Sequence, residues 1–153
     1  HDSKSHTKRQ REKLFHEIMN VCDIGEGWVS ADIIDQMGLS KALQSASMLA
    51  SYSIDLLEKE KVIIDGPVNF LRKSKHTNVV TRVKADQDVP IVSAASVVAK
   101  VLRDQLMAEY ALEYADYGFE THVGYGTKKH RDALQEHGVT RLHRRSVKPV
   151  KAL

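Results

Sequence analysis

The stretch Val62-Ile63-Ile64-Asp65-Gly66, followed at 78–104 by NVVTRVKADQDVPIVSAASVVAKVLRD, decides the fold. Val62 to Ile64 is a short β-branched run, the signature of a strand covered on both faces. Asn78 to Val83 reads as a second strand, and Asp86 closes it as Asp65 closes the first. A long helix then opens with Ser93 as its N-cap and with the small residues Ala94 and Ala95, which permit close packing on a sheet. Ala95, Val98, Leu102, Leu106 and Tyr110 mark its expected buried stripe. Lys100 and Asp104 are spaced as an i, i+4 ion pair on another face. Strands alternating with helices give an α/β layer arrangement.

Carboxylates at the ends of two strands in an α/β sheet sit where such folds place ligands. Two like charges held close together need a cation between them. Asp65 and Asp86 are therefore candidate metal ligands. Asp-Gly is also ordinary turn chemistry, so each aspartate has a plain turn reading beside the ligand one.

Upstream, Thr7 can cap a helix in which Leu14, Phe15, Ile18 and Met19 recur at helical spacing, ending near Val21. Trp28 and Val29 suit a short extended piece. Ser30 caps Ala31 to Met37, and Gly38 stops it. A longer helix is expected from Ser40 to Lys59, burying Leu43, Ala46, Ala50, Ile54 and Leu57. Downstream, the loop His122-Val123-Gly124-Tyr125-Gly126-Thr127 flanks a tyrosine with glycines. Such an aromatic either stacks on a nucleotide or plugs the edge of the core. Thr127 then caps a last helix, Lys128 to His137, which Gly138 terminates.

The 153 residues suit one domain spanning 1–153, with 28% charged and 42% apolar residues as in folded globular chains. No apolar run is long enough for a membrane helix, and no basic-then-apolar leader is visible. Cys22 is the only cysteine, which fits a reducing, cytoplasmic setting. The first residue is His1 rather than Met, as expected of a segment whose natural beginning is missing or processed. The net charge of +3 is unevenly spread. Residues 3–13 carry five Lys/Arg against one Glu, 72–84 carry five with no acid, and the tail holds Arg141, Arg144, Arg145, Lys148 and Lys151. Basic segments around an acidic site suit a polyanion whose backbone is held while a metal acts on it.

The motifs IIDG, KAD, VSAASVVAKVLRD, YGFETHVGYGTKKHRDAL and HGVTRLHRRSV, in that order, closely resemble the ribonuclease HII family. The opening DSK before a basic helix is similar as well. The resemblance implies a ribonuclease H-like mixed sheet flanked by helices. It implies cleavage of the RNA strand in RNA–DNA hybrids, and at single ribonucleotides embedded in duplex DNA, as in DNA replication and repair. It implies Mg²⁺ or Mn²⁺ held by four carboxylates in a two-metal hydrolysis, two of which map onto Asp65 and Asp86. The family tyrosine at the ribose of the RNA–DNA junction maps onto Tyr125. Lys4, Arg144 and Arg145 lie in segments that resemble family motifs and are expected to bind substrate.

The sequence departs from the family in one large respect. The other two carboxylates belong to a DExGRG motif on a first strand, and this chain contains neither Asp-Glu nor Gly-Arg-Gly. Gly25-Glu26-Gly27 follows the first helix and is in the wrong place to substitute. The expectation is a ribonuclease HII domain without its first strands, monomeric and inactive as these 153 residues alone. The alternatives are a non-catalytic nucleic-acid-binding module of the same fold and an unrelated α/β interaction domain.

Overall fold

A computed structural model describes residues 7–147 and 150–152 and divides the chain into two compact units. The first comprises residues up to Trp28 together with Leu43–Val101, and the second comprises Val29–Ala42 and the residues from Leu102 onward.

In the first unit, helix α1 spans Lys8–Met19. Thr7 caps it as expected, through a reciprocal capping box with Gln10. Phe15 is buried, whereas Met19, expected on the same stripe, is exposed. The segment 23–30 that follows forms no strand. Instead, Gly25 and Gly27 lie flat against helix α3, Leu39–Ser53. A Cβ on Gly25 would stand 2.2 Å from the Ala50 carbonyl oxygen, and one on Gly27 would stand 1.8 Å from that of Ala46. Close approach to a helix of small residues is why glycine occupies both positions.

Helix α3 ends at Ser53, six residues short of the expected Lys59. Asp55 turns left-handed at φ 50°, and the Leu56 N–H reaches back to the Ser51 carbonyl at 3.0 Å. This six-to-one closure ends a helix wherever a left-handed residue follows its last turn. Leu57 thus falls beyond the helix and is exposed, Leu43 within it is exposed as well, and Ala42 and Ser51 are the buried residues of the helix.

Strands β1, Val62–Asp65, and β2, Val79–Arg82, pair in parallel with Val62 opposite Val79 and Asp65 opposite Arg82. The strand positions follow the sequence, but the expected cover does not. Val62, Ile63 and Ile64 are only half-buried, and Val80 and Val83 are exposed. The described residues place just these two strands in the sheet.

Helix α4 runs from Pro90 to Glu113 and so begins three residues before the expected Ser93 cap. Proline suits a first turn, because no intrahelical acceptor awaits its absent N–H. The Ser93 N–H instead closes the first full turn onto the Val89 carbonyl. The buried positions are Val92, Val97, Val98, Val101 and Met107, while Ala95 is exposed. In so evenly apolar a run, spacing alone leaves the rotation of the stripe open.

The second unit begins with α2, Ala31–Met37, stopped by Gly38 at φ 82°. Its core gathers Met107, Tyr117, Phe119, Ala133 and Leu134, with Phe119 only 1% exposed. The short helix α5, Phe119–His122, and helix α6, Lys128–His137, complete it. Thr127 caps α6 by accepting from the His130 N–H, and Gly138 ends it.

Candidate active site

The first unit ties Asp65, at the end of β1, to the turn that carries Asp86. Asp65 ends β1 with its side chain exposed. Beyond β2, Lys84 takes a left-handed conformation at φ 58° and sends the chain into a single 3₁₀ turn, Ala85–Gln87. That turn is anchored by Ala85, whose side chain is fully buried. Its N–H donates to Asp65 Oδ1 at 2.9 Å. The carboxylate at the end of β1 is thus bonded to the residue preceding Asp86, which lies not at the end of β2, as expected, but in the turn beyond it. Asp86 is half-buried, and among the described residues no hydrogen bond or ion pair engages its carboxylate. The neighbouring acid, Asp88, is occupied differently, in an ion pair with Arg82.

The donor set fits a hard divalent cation in kind. Both side chains offer carboxylate oxygens, and the Ala85 bond leaves Asp65 Oδ2 available. Among the described residues no cluster of three or more His, Cys, Asp or Glu side chains could close around an ion. Asp104, expected as the surface partner of Lys100, is half-buried on α4.

The second unit presents the other residues singled out in the sequence. Tyr125 is 65% exposed, which removes the reading of it as a plug in the core. Its backbone is nonetheless held tightly. Val123 and Gly124 are both left-handed, and the Tyr125 N–H donates to the His122 carbonyl at 2.8 Å. The Tyr125 carbonyl accepts from the Thr127 N–H at 2.8 Å and lies 3.0 Å from His130 Nδ1. The Arg131 guanidinium donates to the Gly126 carbonyl. A fixed loop therefore carries an exposed ring.

Arg144 and Arg145 are exposed on the turn that follows His143. Asp35 of α2 holds this turn, accepting from the Arg145 N–H at 2.7 Å and the Ser146 N–H at 2.9 Å, and from the Ser146 hydroxyl. The Ser146 hydroxyl, its N–H and the Arg145 N–H keep the Asp35 carboxyl below the usual carboxylate range. Sequence reading misses Asp35, because nothing local marks an acceptor 110 residues from its donor. Lys4 lies outside the described residues.

Comparisons with known proteins give the family and the fold. The profile of the family described as Ribonuclease HII matches residues 1–150. A ribonuclease HII of a Sulfurovum species is 41% identical over 95% of this chain and 73% of its own length. That of Coxiella burnetii is 37% identical over 99% of this chain and 74% of its own. That of Leuconostoc mesenteroides is 34% identical over 98% of this chain and 58% of its own. The crystal structure of the ribonuclease H2 from Pyrococcus horikoshii OT3 superposes with a TM-score of 0.75 at 25% identity, covering 99% of this chain and 78% of that one. These are hydrolases, and the family is dependent on divalent metal. The chain belongs to the ribonuclease HII family of RNA–DNA hybrid endoribonucleases.

Proposed function

We propose that Asp65 and Asp86 are the half of the metal site that this chain contributes to endonucleolytic cleavage of the RNA strand in RNA–DNA hybrids. The observation that supports this most directly is the Ala85 N–H bond to Asp65, which ties the two strand ends together. Asp65 and Asp86 would hold Mg²⁺ or Mn²⁺, and the chemistry such ions supply when bound is activation of the attacking water and stabilisation of the leaving 3′ oxygen. Asp65 is oriented for this role by the bond it accepts, and Asp86 by the buried Ala85 beside it.

The remaining residues bind and orient the duplex. Tyr125 lays its exposed ring against the ribose at the RNA–DNA junction, including that of a single ribonucleotide embedded in DNA. Arg144, Arg145 and the basic segment containing Lys4 neutralise phosphates and hold the register. Both units belong to one catalytic domain, acting as a monomer in the cytoplasm. No helix among the described residues is long and apolar enough to cross a membrane.

With two carboxylates of the four that the family resemblance assigns, the 153 residues alone bind such a duplex but do not cut it. The test is cleavage of a labelled duplex carrying one ribonucleotide, in Mn²⁺. The 153 residues alone should leave it intact, and should cut it once a strand bearing Asp-Glu and Gly-Arg-Gly is placed ahead of residue 1. Asp65→Asn and Asp86→Asn should each then reduce the rate by at least about a hundredfold. Cleavage by the 153 residues alone would overturn the half-site. Salt-dependent binding without cleavage, even with the added strand, would favour the non-catalytic binding module instead.

A further inference from the structure

Three buried histidines of the second unit take no part in the reading above. His122, His130 and His143 pack edge-on or tilted against Phe119, and His122 stacks on His130 at 4.5 Å between ring centres. Their hydrogen bonds admit one arrangement of protons, because the groups at the ends of the chain cannot exchange roles. A carbonyl oxygen only accepts, and a backbone N–H only donates.

The Tyr125 carbonyl, 3.0 Å from His130 Nδ1, therefore requires a proton on that nitrogen. At the other end, the Thr140 N–H donates to His143 Nδ1 at 3.0 Å, with the Thr140 hydroxyl at 2.9 Å. That nitrogen is bare, and the His143 proton sits on Nε2. The two Nε2 atoms are 3.0 Å apart, so His143 donates and His130 accepts. The rings are both neutral and carry opposite tautomers. An added proton on His130 would set two N–H donors against each other at the Nε2 contact, and one on His143 would do so at the Thr140 amide. His122 is fixed in the same manner, accepting from the Gly124 N–H and donating to the Tyr117 carbonyl at 2.7 Å.

Two loops meet at this relay. One end holds the backbone of Tyr125, and the other is His143, which immediately precedes Arg144 and Arg145. Apolar side chains would fill the same volume. What they would not supply is a directional tie between the tyrosine loop and the basic turn, since buried polar groups specify one arrangement when every partner is satisfied. The titratable and charged groups about the pair are His122 and Tyr117, with His137 packed on Tyr117 and Arg131 bound to the Gly126 carbonyl.

We propose that His130 and His143 are positioning residues, whose ordered relay holds the Tyr125 backbone against the basic turn so that ring and arginines meet a duplex as one prearranged surface. The proposal rests on the reading of Tyr125 as a substrate contact. Burial lowers the proton affinity of both rings, which favours the neutral relay at neutral pH.

The test is a double-mutant cycle in the intact protein, read as affinity for a duplex carrying one ribonucleotide in the absence of divalent metal. Tyr125→Ala and His130→Leu should each weaken binding about tenfold, and in combination should cost little more than either alone. His130→Asn, which keeps a donor near the position of Nδ1, should regain most of the loss. A His130→Leu loss repeated in full in the Tyr125→Ala background would overturn the positioning role. Unchanged affinity in Tyr125→Ala would overturn the substrate-contact reading itself. Imidazole ¹⁵N shifts of the unmutated protein test the relay whether or not the variants fold. They should show His130 protonated at Nδ1 and His143 at Nε2 at neutral pH, and the reverse tautomers or a charged ring would overturn it.

Discussion

At the scale of single residues, the chemistry of this chain depends on side chains that fix the backbone of their neighbours. Asp65 accepts from Ala85, Asp35 accepts from Arg145 and Ser146, and His130 accepts from His143 and meets the Tyr125 carbonyl. Asp35→Ala should leave α2 in place and loosen the basic turn. Exchange of the Arg145 and Ser146 amide protons should quicken by about tenfold or more, read by hydrogen exchange. The histidines give a pH dependence. Burial, and then His130 beside it, push the His143 imidazole down to about 4, and burial lowers His130 as well. Between that value and the ordinary histidine pKa of about 6.5, the unfolded chain binds more protons than the folded one, so stability rises with pH. The contribution is complete above about 6.5 and is lost as pH falls toward 4. Thermal melts across that window should show the decline, and His143→Phe should flatten it. Asp65 and Tyr125 stand out as candidates in the sequence because one ends a strand and the other sits between glycines. Asp86, expected to close the second strand, lies past it in a 3₁₀ turn that the left-handed Lys84 opens. Asp35 is not legible there, since its first donor lies 110 residues along the chain. Nor is the histidine relay, since no spacing tells which ring nitrogens meet once the loops and α6 pack around Phe119.

At the scale of elements, local chemistry is read more faithfully than burial. Thr7 and Thr127 cap their helices, and Gly38 and Gly138 end theirs, because caps and left-handed stops act within a few residues, whereas Ser30 precedes α2 without the expected side-chain cap bond. The end of α3 escapes because its stop is an aspartate at Asp55 rather than a glycine, and the start of α4 because Pro90 belongs to its first turn. The cover over β1 and β2 escapes because it is decided by what packs on the strands, which β-branched composition does not state. The glycines of 25–27 carry the clearest mechanical consequence. Gly27→Ala would drive a methyl group into the Ala46 carbonyl, and should destabilise the protein by about 1–3 kcal/mol, read as a fall of several degrees in the melting midpoint. Gly126→Ala meets open space and should leave the midpoint within about a degree.

At the scale of the whole molecule, family and charge point to the same substrate. The ribonuclease HII profile matches residues 1–150, and the basic segments at 72–84 and from Arg141 onward suit the phosphates of a duplex. Ordered motifs made the family legible, because several long matches in series constrain one another far more than a single Asp-Gly does. The proposed metal site is legible in the sequence only as two aspartates. Its most direct test is a Mn²⁺ titration of the chain followed by paramagnetic broadening of backbone amide resonances. Substitution of Asp65 by Asn keeps an oxygen to accept from the Ala85 N–H while removing the charge, so the strand-end turn should survive. Broadening should centre on Asp65 and residues 84–88, and should be lost in both Asp65→Asn and Asp86→Asn. Broadening centred elsewhere, or persisting unchanged in those variants, would contradict the assignment of Asp65 and Asp86 as metal ligands.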